Sequence, residues 1–132
     1  MSTTVVICIA LLGILLFLLG ANVTRIRAVR GTSGETQMPT DPADRLFIAQ
    51  RAHGNAAEYI PTLIALLIVG STLTGGWWLD ALAVTAVVAR GVHAFGLLTA
   101  KTMNTHGPVR DAGAIFTYLS GVALGITVLA AL

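Results

Sequence analysis

The chain has 132 residues, of which 55% are hydrophobic and only 11% charged. A soluble domain carries roughly 25% charged residues, so this composition, with a mean hydropathy of +0.83, excludes an ordinary soluble core. A formal charge of +2 without a long basic run excludes a nucleic-acid partner.

Four apolar segments follow one another. Each approaches the ~20 residues a helix needs to cross a ~30 Å hydrocarbon core. The first predicted helix covers about 4–23. Its start lacks basic residues and no small-x-small site precedes the following arginines, so a retained helix is preferred over a signal peptide. Cys8 lies within it, alone, and reads as a small apolar filler. A polar connection rich in breakers, Gly31 to Thr40, predicts a mobile loop. Asp41-Pro42 then predicts a helix start, with Asp41 as N-cap and Pro42 at the first helical position.

The second helix is predicted over about 43–74, its apolar part running from Ala56 to Leu73. It projects from the membrane by several turns before entering. Arg51, Asn55, Glu58 and Thr62 fall at spacings of four, three and four, which places them on one stripe. His53 lies off that stripe, and Tyr59 is ~100° from Glu58. Pro61 leaves the Ala57 carbonyl without its helical donor. One reading makes Arg51 a snorkelling cation at the membrane border with Glu58 as its partner.

The third helix is predicted over about 78–100. Arg90 lies near its middle, where an unpaired arginine costs at least ~2.5–3.5 kcal/mol. It must face the bundle interior or a wet cavity. Glu58 is the only carboxylate at comparable depth, so an Arg90–Glu58 pair is expected. His93 and Lys101 continue the Arg90 face. Two cations, a carboxylate and an amide suit a zwitterionic, peptide-like anion, because guanidinium groups bind carboxylates in bidentate fashion.

The fourth helix is predicted over about 109–132. Gly113, Thr117, Gly121 and Gly125 recur every four residues, and Gly121 with Gly125 makes a G-x-x-x-G, a helix-packing signal. His106 belongs to a turn and is expected to face solvent. The expected fold is therefore all-α, an integral membrane four-helix bundle in one domain over 1–132. The basic connections and their borders, with Arg25, Arg27, Arg30, Arg45, Arg51, Lys101 and Arg110, share one side. The positive-inside rule makes that side cytoplasmic and puts both termini outside. A bacterial inner membrane is the expected location. Trp77 and Trp78 stand where an interfacial aromatic anchor belongs. No metal site is expected.

The stretch Arg51-Ala-His53-Gly-Asn55-Ala-Ala-Glu58-Tyr59-Ile-Pro61 resembles the signature of the MAPEG family, membrane-associated proteins in eicosanoid and glutathione metabolism. The resemblance covers nearly the whole chain: four spans, Arg25 and Arg27 after the first helix, the Asp-Pro before the second, Arg90 with His93, and Pro108-x-Arg110. It is closest to the small bacterial members. It implies a homotrimer with glutathione, a co-substrate, held between subunits by Arg51, His53, Asn55, Glu58, Tyr59, Arg90 and His93. It implies a catalytic role for Arg110, stabilising the glutathione thiolate. The implied function is a membrane-bound glutathione-dependent transferase or peroxidase acting on lipophilic electrophiles or hydroperoxides. The alternative is a non-catalytic member that binds membrane lipid or a partner protein. Leu97 replaces a family tyrosine one turn after His93, Ala114 stands near the place of another, and Asp111 adjoins Arg110. A small multidrug exporter is a further reading, with Glu58 as its essential carboxylate; the surrounding arginines argue against it.

Overall fold

The computed structural model describes residues 1–132 and consists of four helices: α1 (Thr3–Ser33), α2 (Arg45–Leu73), α3 (Trp77–Leu98) and α4 (Pro108–Ala130). All four are long and apolar enough to cross a membrane. The protein is thus an all-α four-helix bundle with four candidate spans, consistent with an integral membrane protein. α3 and α4 share the most extensive contact, α1 packs on α2 and α3, and α4 packs on α2. α1 and α4 do not touch.

The exterior is apolar as well as the core, unlike that of a water-soluble bundle. α4 turns Ile115, Phe116, Leu119, Val122, Ile126 and Leu129 outward, while Arg90, His93, Thr117 and Ser120 are buried. An apolar exterior on this scale fits lipid and not water. The inward seam uses small residues, Ala52, Ala56, Ala83 and Ala86 among them. They let helices approach closely where lipid offers no hydrophobic drive toward association.

At one end, the Ser2 hydroxyl caps α1 by accepting from Val5 N–H and donates to the Asp80 carboxylate. Asp80 lies in the first turn of α3, where a negative charge complements the helix dipole. Gly76 precedes α3 at φ 142°, and a Cβ there would meet the Trp78 ring at 2.7 Å. Only glycine makes this α2–α3 turn without strain.

The opposite end differs from the sequence expectation in two places. α1 continues ten residues past the apolar segment, and Gly34 in the left-handed conformation ends it at φ 73°. The N-cap of α2 is Asp44, not Asp41: its Oδ1 accepts from Leu46 N–H at 2.7 Å and Phe47 N–H at 3.3 Å. Asp41 and Pro42 instead open a turn, in which Asp41 accepts from the Ala43 and Asp44 amides. The connection is also pinned. Arg30 donates to Asp44 Oδ2 at 2.5 Å and to the Thr36 carbonyl at 3.1 Å, and its Nε lies 3.6 Å from Glu35. Gln37 donates to the Arg27 carbonyl. Across the end, Met103 N–H donates to the Pro42 carbonyl at 2.9 Å, joining the α3–α4 connection to the α1–α2 connection.

The Arg30 hydrogen bond, with help from the capped amides, holds the Asp44 carboxyl below its ordinary range. The folded value lies under the unfolded one, so the contribution is complete above the ordinary aspartate pKa of about 3.9 and is lost as pH falls through the depressed value. Pepsin cleavage of the 34–44 connection is expected to accelerate across that acidic window. Asp44→Asn keeps the cap but not the charge, and is expected to cleave at the fast rate throughout. An unchanged pH profile in Asp44→Asn would show that another carboxylate governs the connection.

Candidate functional site

A polar cluster that runs from the buried Arg90 out to the bundle surface at Tyr118 is assembled from three helices. Asn55 and Tyr59 are one turn apart on α2 and so share a face. Arg90 reaches them from α3, and Tyr118 from α4. Arg90 is 1% exposed. Its Nη2 donates to Asn55 Oδ1 at 2.8 Å, and its guanidinium carbon lies 5.5 Å from the centre of the Tyr59 ring. The Tyr59 and Tyr118 hydroxyls are 3.4 Å apart, with ring centroids at 5.5 Å. Arg90 Nε is buried with no hydrogen-bond partner, alone among the buried side-chain polar atoms of this chain. An unsatisfied charged donor in such a place is costly, so a partner from outside the chain is favoured there.

The expected Arg90–Glu58 ion pair is absent. Arg90 takes an amide and an aromatic face instead: Asn55 and Tyr59 are half-buried on the flank of α2 that Arg90 reaches, while Ala52, Ala56 and Ile60 are the fully inward positions. Glu58, ~100° round the helix from Tyr59, is exposed, as is Arg51. Neither forms a salt bridge within the chain, so the pairing of Arg51 with Glu58 is also absent. Arg51 and Glu58 are therefore a cation and a carboxylate without a charged partner in the chain, on the same stripe of α2 as Asn55.

His53 points elsewhere. A Cβ built on Gly20 would stand 3.2 Å from His53 Nε2, which places the ring against α1. His93 is buried on α3, and its Nδ1 lies 2.8 Å from the Arg110 carbonyl. A carbonyl only accepts, so Nδ1 carries the proton of the neutral ring and Nε2 is left as an acceptor. The Arg110 backbone is thereby fixed to α3, while its guanidinium is held at the α4 N-terminus. Its Nε is 3.9 Å from Asp111 and its Nη2 is 3.5 Å from His106 Nδ1. His106 is solvent-facing and approaches Asp111 at 3.3 Å.

The structure thus brings together Asn55, Tyr59 and Arg90 with a residue not singled out from the sequence, Tyr118. A signal for it existed: the chain has two tyrosines, and they meet. Beside the cluster, Tyr59, Leu63, Tyr118 and Gly121 line a shallow recess of about 210 Å³. A larger apolar groove of about 380 Å³ runs between α3 and α4, lined by Val84, Val88, Val92 and Phe116, with Gly113 at its floor. No group of His, Cys, Asp and Glu side chains is arranged to hold a metal ion.

The model of the MAPEG family matches residues 5–130. No curated protein matches the chain.

Proposed function

Because the chain belongs to the MAPEG family, whose members are in general glutathione-related membrane proteins, we propose that it is a glutathione-dependent transferase or peroxidase for lipophilic electrophiles or hydroperoxides. The observation that carries this reading is the buried Arg90, with an unsatisfied Nε, beside Arg51 and Glu58 that lack partners in their own chain. Glutathione has two carboxylates and an ammonium. Its carboxylates suit the guanidinium groups of Arg51 and Arg90, and its ammonium suits Glu58. Asn55, Tyr59 and His93 line the same region, and His53 would join from its place against α1. Because Arg51 and Glu58 face out of the chain, the ligand sits against a neighbouring subunit, in a homotrimer.

The chemistry follows from the thiol. A free thiol with a pKa of about 8.5 is mostly protonated at neutral pH, and a nearby cation stabilises the thiolate. Arg110 takes this role, with its backbone fixed by His93. The thiolate sulfur attacks an electrophilic carbon, forming a C–S bond as the leaving group departs with its electron pair. With a hydroperoxide, two glutathione molecules supply two electrons, and the products are an alcohol, water and glutathione disulfide. The groove between α3 and α4 opens to lipid within three residues of Arg110 and would admit an apolar co-substrate. The basic connections face the cytoplasm and the termini the other side, in a bacterial inner membrane.

The test is equilibrium binding of glutathione to the purified protein, followed by conjugation to an aryl halide and reduction of a lipid hydroperoxide. Arg51→Ala and Glu58→Gln are each expected to weaken binding by at least ~30-fold, since truncating one side of a buried charge pair costs about 2–5 kcal/mol. Wild-type affinity in both variants would remove glutathione from this site. A second reading rests on the Arg110 side chain, whose neighbours Asp111 and His106 compete for it: a binding protein without turnover. Saturable glutathione binding without either reaction selects that reading.

A further inference from the structure

The basic end holds a second feature that the glutathione reading does not use. A cavity of about 290 Å³ opens where α1, α2 and the end of α3 converge. Its polar rim is Arg25, Arg45 and Lys101, and its apolar wall includes Ile26, Ile48 and Leu98. At ~30 Å³ per water, it has room for about ten waters, comparable to a phosphodiester with its glycerol.

The charge balance around it is one-sided. The nearby carboxylates, Glu35 and Asp44, are both engaged by Arg30. Arg25, Arg45 and Lys101 form no salt bridge with any residue of the chain. Arg25 is steered by a hydrogen bond from its Nη2 to Asn22 Oδ1 at 3.1 Å, and no carboxylate lines the cavity. Three cations that would repel one another are gathered at one opening, and a polyvalent or well-placed anion relieves that repulsion.

The depth of the cavity narrows the choice of anion. From Thr3 to Asn22, α1 rises ~29 Å, and from Trp77 to Leu98, α3 rises ~32 Å. Both measure one hydrocarbon thickness from the opposite end of the bundle. The cations therefore stand at head-group level, with the apolar wall reaching toward the acyl region.

We propose that this cavity is a binding site for the phosphate head group of an anionic phospholipid from the leaflet at the basic end. Arg25, Arg45 and Lys101 hold the phosphate, and Ile26, Ile48 and Leu98 receive the first part of an acyl chain. The ligand is a bilayer component held in a fixed position, and it bridges three helices at this end, where α1 and α2 are already joined by the Val23–Leu46–Ala49 cluster and the Arg30–Asp44 pair.

Native mass spectrometry of the full chain in detergent tests this, with phosphatidylglycerol, phosphatidylcholine and inorganic phosphate as probes. Phosphatidylglycerol is expected to be retained in preference to phosphatidylcholine. Each of Arg25→Gln, Arg45→Gln and Lys101→Gln should weaken retention about five-fold, matching ~1 kcal/mol per cation near an anionic surface, and the triple variant about a hundred-fold. Arg27→Gln, one residue from the same stretch but not lining the cavity, should behave as wild type. Saturating glutathione should leave the lipid in place, which separates this site from the glutathione site whether or not glutathione binds. The proposal is overturned if phosphatidylcholine is retained equally, if Arg27→Gln loses as much as Arg25→Gln, or if millimolar phosphate or glutathione displaces the lipid.

Discussion

Replacing Gly113 with alanine is expected to destabilise the bundle by about 3 kcal/mol, at the upper end of overpacking costs. The added Cβ would fall 2.5 Å from His93 N and 2.6 Å from His93 Cα. These are backbone atoms of α3, so no rotamer change relieves the clash, and the helices must separate. Separation also breaks the bond from His93 Nδ1 to the Arg110 carbonyl, so the N-terminus of α4 loosens. Gly96→Ala should behave alike, because its Cβ would stand 2.6 Å from Arg110 N. Gly125→Ala is the control, since nothing lies within 4 Å of it. Thermal melting in detergent checks the series. If Gly113→Ala melts with Gly125→Ala, α3 and α4 are not in backbone contact.

Arg90→Met is expected to give a folded protein that has lost glutathione binding by about a hundred-fold or more. Methionine fills much of the same volume without an unsatisfied donor. Replacing a buried ionic group by a well-packed apolar one is often neutral or stabilising. Binding should suffer, because the ligand loses its buried cation, a change that costs about 2–5 kcal/mol at a charged contact. Arg90→Lys is expected to fall short as well, since an ammonium cannot reproduce the planar fork that meets Asn55 and the ligand together. Calorimetric titration with glutathione, paired with a melting curve, separates the two effects. A Met variant that melts normally and binds normally would make Arg90 a purely structural residue.

Particular residues show how far the sequence could be read. Arg90 stood out because an arginine in an apolar segment needs an interior place, and it has one. Its partner did not follow from the same logic. Charge alone favours Glu58, but Glu58 is exposed while Asn55 is half-buried beside Arg90, and a rotation of only ~60°, three residues along the helix, decides between them. The spacing of Asn55 and Tyr59 contained that answer. Tyr118 could not be placed from spacing, since its relation to Tyr59 depends on how α4 lies against α2. The four helices were visible as apolar blocks. Their ends at the basic side were not, because the last ten residues of α1 carry no hydropathy signal. There the end is set by Gly34, and the start of α2 by Asp44, whose side chain competes successfully with the Asp-Pro turn before it. The spacing of four predicts that the glycines of α4 are packing residues, and Gly113 is one. The tight approaches are at Gly96 and Gly113, while Gly121 meets only a Leu63 methyl at 3.7 Å and Gly125 meets nothing.

The hydrogen bond between Met103 and Pro42 turns two separate connections into one covalently and hydrogen-bonded ring. The ring runs through α2, the α2–α3 turn and α3, and closes across 61 positions of chain. It cannot close until both of those spans have crossed the membrane, so it belongs to a late stage of insertion. Once closed, it ties the two connections to each other. Pro42 adjoins Ala43 in the cavity wall and Met103 stands five residues before the start of α4, so this bond ties that wall to the chain that leads into α4 and Arg110.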